Sequence, residues 1–102
     1  MPDFGTAFSG LKKDRKLTRA ELIRAIRFMI AAEYEAVQLY MQLAESIDDK
    51  LVIEVLKDIA NEERVHAGEF MRLLKELAPD EEKLYKEGAG EVEAEIKKSK
   101  KR

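Results

Sequence analysis

The stretch ESIDDKLV, Glu45 to Val52, separates two long runs of helix-forming residues and decides the fold. Asp48-Asp49-Lys50 is a tight polar turn. An aspartate placed there caps the next helix, because its side-chain oxygen accepts a hydrogen bond from a free backbone N–H. A turn this short sends the two flanking helices back along each other, antiparallel. Residues equally far from the bend on either side must therefore sit at one level.

Backward from the turn, no Gly or Pro interrupts the chain as far as Thr18. Apolar residues recur three and four apart at Leu22, Ile26, Met29, Ile30, Ala36, Val37, Tyr40, Leu43 and Ile47, which is helical periodicity. Thr18 and Glu21 have capping-box spacing, with Leu17 and Leu22 at the staple positions around them. Forward from the turn the stripe reads Val52, Val55, Leu56, Ile59, Phe70, Leu73, Leu74 and Leu77, and Pro79 ends it for want of an N–H. Each helix is about 28 residues long, or roughly 42 Å.

A shorter third helix is expected from Pro79 to Lys86, broken by Gly88-Ala89-Gly90 and followed by the charged, marginally helical tail EVEAEIKKSKKR. Residues 1–17, with Pro2, two glycines and two aromatic anchors (Phe4 and Phe8), read as an irregular arm. The expected organisation is thus all-α: an arm over 1–17, a helical hairpin with a short C-terminal helix over 18–87, and a charged tail or linker over 88–102. Two helices alone leave much of both apolar stripes in water. Such a hairpin should pair with a second copy into a four-helix bundle.

Composition narrows the chemistry. Net charge is −2 and the pI near 5.5, so no basic field exists to attract nucleic acid. There is no cysteine, so any metal must be held by oxygen and imidazole. No apolar stretch is long enough to span a membrane and no signal-peptide pattern opens the chain, which makes the cytoplasm the expected compartment.

Both apolar stripes have a polar gap. Glu33 interrupts the first between Ile30 and Ala36, while Glu63 and His66, three apart on one face, interrupt the second between Ile59 and Phe70. From a bend centred at Asp48–Asp49, Glu33 lies about 15 residues back and Glu63 to His66 about 15 to 17 forward, so all three meet with roughly 4–5 Å of play. Arg27 and Arg64 do not share the face of Glu33, so neither is positioned to pair with it. An unpaired carboxylate in apolar surroundings is very costly and calls for a compensating cation. Three ligands are too few to enclose a divalent ion, but a two-fold partner doubles them. One Glu from each of two helices plus a Glu-x-x-His from each of two others is the established ligand set of carboxylate-bridged di-metal bundles. Four carboxylates balance two Fe(II) with neutral histidines. Iron or manganese suits this ligation, with Mn, Zn or Ca as surrogate ions.

AEYEAVQLY (Ala32–Tyr40) together with EERVHAGEF (Glu62–Phe70) resembles the encapsulated ferritins, a two-helix branch of the ferritin-like superfamily. The resemblance covers roughly residues 18–90. It implies a ferroxidase centre formed between two subunits, with Glu33, Glu63 and His66 as catalytic metal ligands. It implies homodimers assembled into a ring, a decamer in the family, housed in an encapsulin shell where iron is stored as mineral. By the same resemblance Glu35 matches a glutamate linked to metal access and Tyr40 a tyrosine beside the centre. Two positions depart from the pattern: Ala32 stands where some members have a second acid, and Leu39 where a tryptophan can occur. The tail also lacks the Gly/Leu-rich targeting peptide of free-standing cargo and reads as a linker or an exposed end; by the same resemblance, relatives that carry this domain fused to the shell protein leave a truncated fusion as one alternative.

Several residues have plainer readings. Glu62 and Glu69 read as solvated faces, with guidance of iron as the alternative. Tyr40 reads as core, Glu35 equally as a surface charge, and Gly68 either as a simple cost to helix stability or as a place where a partner helix can come close. At the level of function, two alternatives to a ferroxidase stand: a rubrerythrin-like peroxidase on the same centre, and a non-enzymatic helical assembly module with a structural metal.

Overall fold

The computed structural model describes residues 15–101; the expected arm therefore lies largely outside the described residues, Phe4 and Phe8 included. The chain forms three helices, α1 (Arg19–Glu45), α2 (Lys50–Leu77) and α3 (Pro79–Lys100). α1 and α2 form the expected antiparallel hairpin, and α3 leaves the end of α2 at Ala78.

Local chemistry fixes each boundary. Thr18 caps α1 through the capping box: Glu21 N–H donates to Thr18 Oγ1 at 3.2 Å, and Thr18 N–H donates to Glu21 Oε1 at 2.8 Å. Arg15 joins it with a two-pronged pair to the Glu21 carboxylate at 2.8 and 2.9 Å, which sequence spacing did not suggest. That guanidinium holds the Glu21 carboxyl down at about 2, with the N–H of Thr18 next in importance. Asp49 caps α2, accepting from Val52 N–H at 3.1 Å. At the far end of the hairpin, Arg19 of α1 donates to the carbonyl of Leu77, the last residue of α2, at 2.9 Å. That bond satisfies a terminal acceptor and ties the open end of the hairpin shut.

The buried residues are few and evenly spaced. Val37 and Ala44 on α1, and Ala60, Ala67 and Leu74 on α2, recur every seven residues. This is the seam of a coiled coil, and alanine at its centre lets the two backbones come close. Ala60 has no accessible surface at all. Outside the seam many large apolar residues stay exposed, including Leu39, Leu43, Val55, Val65 and Leu73. The accessible surface is 8230 Å², against about 5,900 Å² for a self-contained monomer of this mass. The radius of gyration is 18.0 Å, against about 13 Å for a compact domain of this length. The fold fully buries one narrow stripe, half-buries residues beside it such as Ile26, Ile30, Leu56, Ile59 and Phe70, and leaves much of its remaining apolar surface in water.

One expectation is corrected. α3 does not stop at Lys86 but runs unbroken through Gly88-Ala89-Gly90 to Lys100, so it is not a short helix. Glycine inside a helix costs about 1 kcal/mol relative to alanine, which weakens a helix without forbidding it. Both glycines keep helical backbone, with no positive φ among the described residues. Pro79 at the first position, three acids in the first turn and three lysines in the last all favour the helix and its dipole.

Two outcomes test this account. Ala60→Leu overfills the seam and should destabilise the hairpin by about 1–3 kcal/mol in chemical denaturation. Because the folded Glu21 carboxyl is held at about 2, its contribution is present above the unfolded value of roughly 4.3 and fades as pH falls toward 2. Glu21→Gln should remove that segment of the acid unfolding curve and leave the rest unchanged.

Candidate metal centre

Halfway along the hairpin, α1 carries Glu33 and α2 carries Glu63 and His66. One ligand atom from each lies within 4.8 Å of the others. His66 Nδ1 stands 3.5 Å from Glu63 Oε2 and 3.8 Å from Glu33 Oε2. The level counted outward from the turn is therefore met, across a hairpin whose two arms are each continuous helix. Glu63 sits between the seam residues Ala60 and Ala67, and Glu33 one turn before Val37. Both glutamates are consequently half-buried at the seam's shoulder, at 20% and 16% side-chain exposure. His66, farther round α2, is 49% exposed. The cluster is walled on the hairpin side and open on the other.

The two carboxyls cannot both be comfortable as anions. Glu33 is pushed above the ordinary carboxylate range, first by its hydrogen bond to Glu63, then by burial and by the charge of Glu63. Glu63 is held below that range, chiefly because it accepts that hydrogen bond, with His66 assisting against the cost of burial. The two carboxyls thus titrate as a coupled pair, with Glu33 releasing its proton at higher pH than Glu63. Even so, Glu33 Oε2 is cut off from water and has no hydrogen-bond partner among the described residues. At 3.8 Å the imidazole is too far to count as one.

These residues fit a hard or borderline divalent metal. The donor set is two carboxylates and an imidazole, and one carboxylate oxygen lacks any other partner. Donors at right angles around an ion with bonds of about 2.1 Å lie about 3 Å apart. Gaps of 3.5 and 3.8 Å close to that by small side-chain rotations.

The other sequence candidates fall elsewhere. The arginines are committed: Arg27 to Glu81 of α3, with Nε–oxygen distances of 3.1 and 3.3 Å, and Arg64 to Asn61 Oδ1 at 2.6 Å. Neither reaches Glu33. Glu35 lies on the opposite flank of α1, outside the cluster; its Oε2 is likewise shielded and without a hydrogen-bond partner. Tyr40 is half-buried two turns along α1, about 10 Å from the level of Glu33. Glu69, read as a solvated face, is exposed but lines a 240 Å³ cleft with Glu33, His66, Phe70 and Leu73. Its position one turn beyond His66 was the available signal. Gly68 has nothing of its own chain within 4 Å of where a Cβ would stand.

Glu33→Leu tests the reading of strain. Replacing an acid that lacks a partner by a residue that packs should raise the melting temperature of the metal-free protein by about 4 °C or more. The same change should cancel any stabilisation by added divalent metal. Calorimetric melts with and without Mn(II) check both.

Comparison with known proteins bears on the family and the fold. Residues 22–102 match the protein-family model described as Rubrerythrin. The chain is 40% identical over 82 residues to the ferritin-like-encapsulin shell fusion protein of Pyrococcus furiosus, covering 80% of this chain and 24% of that one. It is 37% identical over 67 residues to the encapsulin nanocompartment cargo protein EncC of Myxococcus xanthus, covering 66% of this chain and 52% of that one. The chain spans about a quarter of the first relative and about half of the second. Among solved structures, the crystal structure of the encapsulated ferritin domain from Pyrococcus furiosus superposes with a TM-score of 0.79 at 38% identity, over 84% of this chain and 88% of that one.

Proposed function

The chain belongs to the rubrerythrin family of ferritin-like proteins, and on that premise we propose that it is a ferroxidase that oxidises Fe(II) at a site shared by two copies. The observation that carries the proposal is the open cluster of Glu33, Glu63 and His66, in which a buried carboxylate oxygen lacks any hydrogen-bond partner among the described residues. A second copy related by a two-fold axis brings the same three groups to the open side, giving four carboxylates and two imidazoles.

Iron is the substrate. Two Fe(II) enter the paired site and balance the charge of the four carboxylates. Each imidazole ligates as the neutral base. Carboxylate oxygens hold a pair of ions of total charge +6 more strongly than one of +4, so the site favours the oxidised products. The two ions give up one electron each, and oxygen takes both with two protons to form hydrogen peroxide. If peroxide is the acceptor, it takes the same electrons and protons to give two waters. The residues of the chain supply position and charge balance; the redox chemistry belongs to the iron.

On this reading the pairs assemble into a ring housed in an encapsulin shell within the cytoplasm. The names of the two relatives, a shell fusion and a nanocompartment cargo protein, support that surrounding. No helix among the described residues is long and apolar enough to cross a membrane.

Aerobic addition of Fe(II), followed by the absorbance of Fe(III), tests the activity. The intact protein should oxidise iron well above the buffer rate, and Glu63→Ala should return it to that rate while keeping its helical circular dichroism. Metal titration should saturate at two ions per pair of chains. Turnover with peroxide but not oxygen would instead indicate a rubrerythrin-like peroxidase. Metal binding with no turnover would indicate an assembly module with a structural ion.

A further inference from the structure

Glu63, His66 and Glu69 follow one another on α2 at spacings of three. Each is about 4.5 Å farther along the axis, and about 60° farther round it, than the one before. The turn carries them from shelter to solvent. Glu63 is 20% exposed at the seam's shoulder, His66 is 49% exposed, and Glu69 lies in water one turn beyond. The 240 Å³ cleft beside the centre is lined by Glu33 of α1 and by His66, Glu69, Phe70 and Leu73 of α2. Phe70 and Leu73 offer a cation nothing. Glu69 is therefore the one anion lining the cleft that lies outside the ligand set.

Glu69 is also uncommitted. Glu21, Glu76, Glu81 and Glu95 are each held by a basic side chain. Glu69 has no hydrogen bond or ion pair among the described residues. Arg72 stands one turn farther along, within reach of Glu69, but turns to Glu76 at 3.2 Å instead.

A divalent ion arrives hydrated, and carboxylate and imidazole can hold it only as its waters leave. A solvated carboxylate one turn from a ligand can hold the ion through those waters while the inner groups replace them. Apolar walls sharpen the effect, because a cleft of one charge sign between low-dielectric surfaces concentrates counter-ions and raises their arrival rate.

We propose that Glu69 is the loading residue of the centre: it draws a divalent cation into the cleft and passes it to His66 and Glu33. The inference rests on the reading of Glu33, Glu63 and His66 as metal ligands, and not on what the metal then does there. Glu69 is no ligand of the settled ion, since it lies outside the group whose ligand atoms come within 4.8 Å of one another. Glu62 gives the contrast. It is an exposed acid one turn before His66 on the same helix, yet it does not line the cleft. A general field of the acidic face uses both residues; a path through the cleft uses Glu69 alone.

Stopped-flow mixing of the full-length, metal-free protein with Co(II) tests this, because the visible absorbance of the bound ion reports both the rate and the amount of uptake. Glu69→Gln should load roughly fivefold more slowly at low ionic strength, a share of the tenfold or more that a whole charged cleft adds to an association rate. It should saturate at the same amount. Glu69→Lys should be slower still, while Glu69→Asp and Glu62→Gln should stay close to the intact protein. The gap between Glu69→Gln and the intact protein should narrow with added salt, since the screening length falls from about 10 Å at 0.1 M to about 3 Å at 1 M. Loading of Glu69→Gln at the intact rate, equal slowing by Glu62→Gln, or a lower amount bound at saturation by Glu69→Gln overturns the proposal. Glu63→Ala separates the two readings. Undiminished uptake by that variant means that the ion sits elsewhere, and the reading of the centre fails with this one. Uptake abolished in Glu63→Ala, with Glu69→Gln loading at the intact rate, removes only the role of Glu69.

Discussion

Helix register is the constraint on which the rest of the structure rests. A slip of one residue between α1 and α2 would move one arm by 1.5 Å and turn its side chains by about 100°. Glu33 would then leave the level of Glu63 and His66. Three features prevent the slip. Asp49 fixes where α2 begins, the bond from Arg19 to the Leu77 carbonyl fixes where it ends relative to α1, and the alanine seam interlocks the two between. Alanine at the seam has a further effect. It brings the backbones close enough for side chains on facing helices, Glu33 and Glu63 among them, to lie within 4.8 Å of one another.

The closeness of Glu33 and Glu63 shows what the hairpin gives up in stability. A leucine at 33 would pack; a glutamate there is partly desolvated and leaves one oxygen without a partner. Violations of local packing rules concentrate where a structure serves something besides its own stability. Here the violation coincides with the only imidazole in the protein and lies at the open edge of a surface much larger than a chain of this mass needs. The unfinished site and the unfinished core are on one molecule for one physical reason: two helices cannot enclose anything.

Much of this was legible in the residues because it is encoded locally. Thr18 with Glu21, Asp49 before its helix, and Pro79 each act within a turn, and the structure has each of them capping or ending a helix as read. The level of the three ligands followed from counting, since helices rise evenly. What escaped was either non-local or a matter of balance. The hold of Arg27 on Glu81 joins α1 to α3 across more than fifty positions, and no periodicity reports such a pair. The reach of α3 through Gly88 and Gly90 depended on whether two small penalties outweigh a favourable proline, dipole and charge pattern; they do not. The standing of Glu35 and Tyr40 came from resemblance alone, and neither joins the ligand cluster.

On the proposed reading each chain would contribute a single glutamate from α1 and a Glu-x-x-His from α2 to a shared centre, and this would have an evolutionary consequence. A centre assembled from two identical halves can change only in matched steps: one altered codon replaces two ligands at once. Lineages that encode both halves in one longer chain can tune each side separately and specialise the two metal positions. Under the proposed pairing a gene of this kind could not, and its two metal positions would change together.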